Sequence, residues 1–85
     1  MLNKKEVEYN AMSLVSAWLF GAKDIVDLRL VFSGKDKEKI IPCTVNNAGQ
    51  ELANILCNNK EGYAYGKLVG KNNKEEKVFG ELDIN

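Results

Sequence analysis

Histidine is absent from this sequence of 85 residues, and arginine, proline and tryptophan each occur once. Without histidine the chain has no imidazole for acid–base catalysis or for metal ligation. Two cysteines, Cys43 and Cys57, do not make a zinc site without other soft ligands, and without an export signal we expect both to be buried free thiols. The carboxylates fall beside lysines, and no glycine-rich phosphate loop is present. The sequence therefore predicts no metal, no cofactor and no enzymatic activity.

Long hydrophobic runs are also missing. The longest uninterrupted apolar segment is Ala17–Phe20, far too short to span a bilayer, and the first ten residues lack the apolar core of a secretory signal. Twelve basic and twelve acidic residues cancel to a net charge of zero, so any binding to nucleic acid must come from a local patch. We expect a single domain over residues 1–85, located in the cytoplasm and not associated with membranes.

The clearest secondary-structure signal is a helix in NNAGQELANILCNN, residues 46–59. Its apolar residues recur at the spacing of one helical face: Ala48, Leu52, Ile55 and Leu56. Asn47 and Gln50 have the spacing of a capping box, and two asparagines at the end of the segment provide a stop.

Four other segments alternate between apolar and polar side chains, as strands do. They are IVDLRLVFS at 25–33, KIIPCTV at 39–45, GYAYGKLV at 62–69 and KVFGELDI at 77–84. The charged segments GKDKEK and GKNNKEEK join them in pairs as hairpin loops. Pro42 cannot donate a ladder hydrogen bond, so we expect its strand at a sheet edge or at a bulge.

Residues 6–23, EVEYNAMSLVSAWLFGAK, fit two patterns. Read as a helix, the segment has one apolar stripe: Val7, Ala11, Leu14, Val15 and Trp18. Read as a bent strand, it has Val7, Tyr9 and Ala11 on one face and resumes at Trp18 and Phe20 after a break. The valine, tryptophan and phenylalanine content favours the strand.

With a strand at this position, the order is three strands, a helix and two strands. That is the order of the OB-fold, a small five-stranded barrel. The predicted fold is therefore mainly β, a five-stranded OB-fold barrel with one helix between strands three and four. If residues 5–20 are helical instead, the chain is an α+β domain with an N-terminal helix.

Three segments resemble the second half of bacterial and phage single-stranded DNA-binding proteins. They are IIPCTVNNAGQELANIL, GYAYGKLVG and KVFGELDI, and the matching residues are Ile41, Pro42, Cys43, Leu52, Ala53, Leu56, Gly66, Lys67 and Leu68. The resemblance covers residues 40–84, whereas residues 12–33 match only as a strand pattern. It implies an oligomeric OB-fold of phage or mobile-element type that binds single-stranded DNA with little sequence preference during replication or recombination. The chain has fewer exposed aromatic residues in its second and third predicted strands than is usual for that family.

A candidate nucleic-acid site follows from the alternation in GYAYGKL, residues 62–68. If the small residues and Leu68 face the interior of a barrel, Tyr63, Tyr65 and Lys67 face outward. Aromatic faces stack on unpaired bases, and nearby cations contact phosphates. Two further aromatic residues, the one arginine and the loop lysines complete the predicted site: Trp18, Arg29, Tyr63, Tyr65, Lys67, Phe79, Lys35, Lys37, Lys71 and Lys74.

The same residues also fit a second function. Outward tyrosines pack across strands or form dimer faces as often as they bind ligands, and Trp18 is typical of a core residue. Acidic residues alternate with the loop lysines, so each loop is nearly neutral. One hypothesis is a homo-oligomer that binds single-stranded DNA or RNA. The alternative is a small protein-interaction module, such as a phage-encoded inhibitor or assembly factor, whose aromatic face binds a protein.

Overall fold

A computed structural model describes residues 3–84 of the chain as a two-layer α+β fold. The helices are α1, Lys4–Leu19, and α2, Ala48–Cys57. The strands are β1, Val26–Ser33; β2, Glu38–Pro42; β3, Tyr65–Asn72; and β4, Glu75–Asp83. They form one four-stranded antiparallel sheet in the order β2-β1-β3-β4. Both helices pack on the same face of this sheet, and the core lies between the two layers.

The first element, α1, is a helix and not the bent strand that the sequence favoured. Its predicted apolar stripe faces the core, with Ala11 and Val15 buried. Asn3 caps the helix: its Oδ1 accepts a hydrogen bond from the Glu6 backbone N–H at 2.9 Å, and its amide donates to the Glu6 carboxylate at 2.9 Å. This cap and the burial of the stripe outweigh the modest helix propensity of valine and tryptophan. The alternative prediction, an α+β domain with an N-terminal helix, is confirmed.

The predicted five-stranded OB-fold barrel is wrong. With α1 helical, the described residues form four strands, and the sheet is open because β2 and β4 are its two edges. Pro42 ends the edge strand β2, as its missing N–H predicted.

The second helix lies within the predicted segment, but the predicted capping box does not form. Asn47 precedes α2, and its side chain makes no capping hydrogen bond. Its Oδ1 instead accepts from the Thr44 backbone N–H at 2.7 Å, while Thr44 Oγ1 accepts from the Asn47 N–H at 3.2 Å. These two bonds close the turn between β2 and α2.

The two cysteines are free thiols, as predicted, but their predicted burial is only partly correct. Cys57 is exposed at the end of α2, whereas Cys43 is half-buried. Desolvation, followed by the negative charge of Glu51, raises the pKa of the Cys43 thiol to about 11. Cys43 therefore stays protonated near neutral pH and is a poor nucleophile.

An approximate two-fold axis relates the two halves of the fold. The order α-β-β occurs twice, as α1-β1-β2 and α2-β3-β4. At the centre of the sheet Leu30 pairs with Leu68, so residues 29–31, Arg-Leu-Val, run antiparallel to residues 67–69, Lys-Leu-Val. Each helix contacts a strand of the other half, α1 with β4 and α2 with β1. The halves therefore share one core.

Candidate binding surface

One face of the sheet carries neither helix, and the strand register identifies its side chains. Leu30 and Leu68 point into the core, so alternate residues along each strand point the other way. We call this surface the open face. Its residues are Val26, Arg29, Val31, Ser33, Glu38, Ile40, Pro42, Tyr65, Lys67, Val69, Lys71, Glu76, Val78, Glu81 and Asp83, together with Asp27, which lies in a bulge of β1 and contacts Lys71.

An apolar band crosses the open face through all four strands. Ile40 of β2 pairs with Val31 of β1, and Val69 of β3 pairs with Val78 of β4. Val31 and Val69 are diagonal neighbours at the centre, because Val31 pairs with Lys67, two residues before Val69. The central valines are buried, whereas Ile40 and Val78 are about half exposed. The exposed apolar surface of the band is therefore that of Ile40 and Val78, one on each edge strand of the sheet.

Arg29 and Glu76 enclose the band on one side. Arg29 lies on β1 and Glu76 on β4, with β3 between them, and their side chains meet at 2.5 Å. The Arg29 side chain therefore extends across β3, which explains why Val69 is only 3% exposed on an open surface. The guanidinium also donates to the Asp27 carbonyl at 3.0 Å, and Lys71 lies 3.5 Å from the Asp27 carboxylate. Two of the basic groups are thereby paired with acids, each pair contributing under about 1 kcal/mol to stability at such exposure.

Tyr65 and Glu81 lie on the other side of the band. The Tyr65 hydroxyl donates a hydrogen bond to the Glu81 carboxylate. This bond, together with partial desolvation and the charges of Glu81 and Asp83, raises the pKa of Tyr65 to about 12. Only the protonated phenol can donate this hydrogen bond. At neutral pH the Tyr65 hydroxyl therefore stays bonded to Glu81 of the same chain.

Titration of Tyr65 gives a direct test of this contact. A raised pKa means that the folded state keeps the phenolic proton above the ordinary pKa of 10.0. Its contribution to stability is thus complete below pH 10 and is lost as the pH rises through about 12. In a near-ultraviolet titration of tyrosinate, we expect Glu81→Gln to return one late-titrating tyrosine toward its ordinary pKa. Tyr65→Phe should remove the same late step, and an unchanged profile in both variants would contradict the contact.

The open face carries more acidic than basic side chains. It has Arg29, Lys67 and Lys71 against five acids, namely Asp27, Glu38, Glu76, Glu81 and Asp83. Within residues 3–84, Lys67 makes no ion pair, so it is the basic group on this face that is free for a ligand. Such a face repels phosphates more than it attracts them.

Only part of the predicted nucleic-acid site lies on the open face. Arg29, Tyr65, Lys67 and Lys71 are there. Tyr63, predicted to face outward, is 5% exposed, and its ring lies 6.1 Å from that of Phe32 in the core.

The error at Tyr63 has a local cause. The strand begins only at Tyr65, and Gly62 before it has a φ of 74°. The Asn59 side chain accepts from the Tyr63 N–H at 2.9 Å and donates to the Tyr63 carbonyl at 2.8 Å. These bonds hold Tyr63 outside the strand, so strict alternation does not apply to its ring.

The other two aromatic candidates also lie on the helix-covered side. Leu68 pairs with Gly80 and Val69 with Val78, so a β-bulge leaves Phe79 without a partner and turns it toward the core. Trp18 of α1 packs partly buried against Gly80. The predicted outward orientation of Phe79 is therefore wrong, and Trp18 is a packing residue.

The loop lysines do not flank a common groove. Lys35 and Lys37 follow β1, near its Ser33 end, whereas Lys74 lies in the turn after β3, beside the other end of β1. An eight-residue strand, roughly 26 Å long, separates the two loops. Lys37 instead lies over the Tyr63 ring, 5.8 Å from its centre. The β3–β4 turn is also shorter than predicted, since only Asn73 and Lys74 form it, both at positive φ as in a type I′ turn.

The aromatic residues of the sequence do not indicate the apolar band, because none of its four members is aromatic. A signal was present in the sequence, since Val31 and Ile40 lie at positions where the alternation calls for a polar residue.

Comparison with known proteins gave no significant match to a protein family, a curated protein or a solved structure. In the described part of the chain, no helix is long and apolar enough to cross a membrane, and no cluster of three potential metal ligands occurs.

Proposed function

We propose that this protein is a protein-interaction module that binds its partner on the open face. The observation that carries this proposal is a pair of half-exposed apolar side chains, Ile40 and Val78, at the two ends of an apolar band on the sheet face that carries neither helix. Protein-binding surfaces commonly combine exposed apolar side chains with charged and polar groups around them.

The charges around the band indicate which kind of partner the open face would bind. Five acids against three basic groups favour a protein segment that presents apolar side chains together with lysine or arginine. The Arg29–Glu76 and Tyr65–Glu81 contacts fix these four side chains around the band even without a ligand. A partner would then meet a preorganised surface, which lowers the ordering cost of binding.

A peptide probe of defined composition tests this function. We expect an extended peptide of alternating lysine and valine to shift the methyl NMR signals of Ile40 and Val78. A peptide of alternating glutamate and valine should shift them far less, because the face is already acidic. Equal responses to both peptides, or shifts confined to the helical layer, would contradict the proposal.

Paired variants locate the site. Ile40→Glu with Val78→Glu should abolish the response to the lysine peptide, since both side chains are about half exposed on the open face. Val45→Glu is the matched control, because Val45 is similarly exposed but lies beside the helices. A loss of response in the control as well would remove the assignment to this face.

Binding of single-stranded DNA remains a prediction from the sequence, and the geometry gives it little support. Tyr63, Trp18 and Phe79 are not available for stacking, and Arg29 is paired with Glu76. We therefore expect no anisotropy change when a labelled poly-dT oligonucleotide is titrated with micromolar protein at low salt. Tight, salt-sensitive binding would restore the DNA hypothesis and make Tyr65→Ala and Lys67→Ala the variants to test.

A further inference from the structure

The outer surface of α1 carries no charge over most of its length. Residues 9–22, YNAMSLVSAWLFGA, contain no charged side chain in a protein of which 28% is charged. A helix on the surface of a single domain ordinarily has charged residues on its solvent side. This segment is the longest run of residues without a charged side chain in the sequence.

Large apolar side chains project from this uncharged surface. Tyr9 and Met12 are mostly exposed, and Phe20, at the end of α1, is 91% exposed. A groove of about 270 Å³ lies beside them between the helices, and its lining includes Met12, Ser16, Leu19, Val45 and Gly49. The surface thus holds a projecting aromatic ring and an apolar groove side by side.

We propose that a second copy of this chain covers the uncharged face of α1, forming a two-fold symmetric dimer. Met12 and Phe20 each lie four residues, about one helical turn, from Ser16. If the two α1 helices run antiparallel and cross at Ser16, Phe20 of each copy lies against Met12 and enters the groove of its partner. Ser13, Ser16 and Ala17 are small and exposed, so the helices can approach closely.

Charge and size both favour a second copy as the occupant. A neutral surface gives no attraction to a charged partner, whereas two neutral surfaces meet without repulsion. A standard interface takes about 800 Å² from each partner, roughly one seventh of this chain's 5787 Å². The uncharged part of the helix, residues 9–19, is about 17 Å long, and with Phe20 and the adjoining groove it forms the surface that the dimer would bury. This dimer uses the layer opposite the open face, so it goes beyond the proposed function and leaves that face free.

Light scattering coupled to size-exclusion chromatography tests the dimer. We expect the wild-type chain to reach twice its monomer mass as its concentration rises, and Phe20→Glu and Met12→Glu to stay monomeric. Val78→Glu is the matched control, because it places the same charge at an exposed apolar position on the open face. It should still dimerise, and circular dichroism should show all variants folded.

The outcomes separate the two surfaces. A wild-type chain that stays monomeric at millimolar concentration would overturn the dimer and leave the peptide experiment unaffected. A dimer broken by Val78→Glu but not by Phe20→Glu would place self-association on the open face and also overturn it.

Disulfide trapping tests the position of the axis. In a Cys57→Ser background, Ser16→Cys should give a covalent dimer on mild oxidation with oxidised glutathione, since the two thiols would face each other. Asn54→Cys, exposed on α2, is the control and should cross-link far more slowly. Equal rates for the two positions would contradict the crossing at Ser16.

Discussion

Phe32→Ala is expected to lower the free energy of unfolding by about 3 to 5 kcal/mol, the cost of removing a large ring from a packed core. Phe32 has no exposed surface, and its ring packs on Tyr63 and close against Gly66. A chain of 85 residues has a total stability of about 4 to 13 kcal/mol, so the variant should lose a large fraction of it. Urea denaturation followed by circular dichroism measures the difference.

Phe20→Ala is the matched control for this substitution. The same atoms are removed from a side chain that is 91% exposed, so we expect a change within about 0.5 kcal/mol for the monomer. Measurements at low protein concentration keep self-association from contributing. Similar losses for the two variants would mean that Phe32 does not occupy the core.

Gly80→Val should have the second large effect. The Trp18 indole lies directly on Gly80, and a Cβ at this position would overlap the ring. Either α1 or β4 must move, and overpacking of this kind costs about 1 to 3 kcal/mol, occasionally more. Thermal unfolding should show a clearly lower midpoint, whereas Lys77→Val, at an exposed position of the same strand, should change it little.

A double-mutant cycle identifies the cause of the loss. In a Trp18→Leu background the ring is absent, so Gly80→Val should be less damaging than it is in the wild-type chain. We expect a coupling of about 1 kcal/mol or more between the two positions, as for residues in direct contact. Additive effects would show that the glycine is required for a reason other than the tryptophan.

The prediction of the fold failed mainly at α1, where two signals competed. Val7, Trp18 and Phe20 favour a strand by residue type, whereas the stripe from Val7 to Trp18 favours a helix by spacing. The spacing was correct, and Asn3 followed by Glu6 is an additional signal for the start of a helix. Because this one segment was predicted as a strand, the predicted fold had five strands and closed into a barrel, whereas the sheet is open.

The candidate site was only partly predictable because its geometry depends on interruptions in the strands. Alternation in residues 25–33 puts Val26, Leu28, Leu30 and Phe32 on one face; the last three lie in the core, whereas Val26, before a bulge, is 56% exposed. It failed at Tyr63, which lies outside β3, and at Phe79, which lies in a bulge. A bulge is set by the register between two paired strands, and the pattern of a single strand does not reveal it.

The two-fold arrangement of the sheet has a consequence for how the chain folds. Its hairpins close over short turns, but the central pair of Leu30 and Leu68 joins positions 38 residues apart. Each hairpin alone leaves its apolar side exposed to water. That side is covered only when the helix of the other half packs against it. The loop-closure entropy of this long-range encounter must therefore be overcome before either half gains its core, so neither half is a stable folding unit alone.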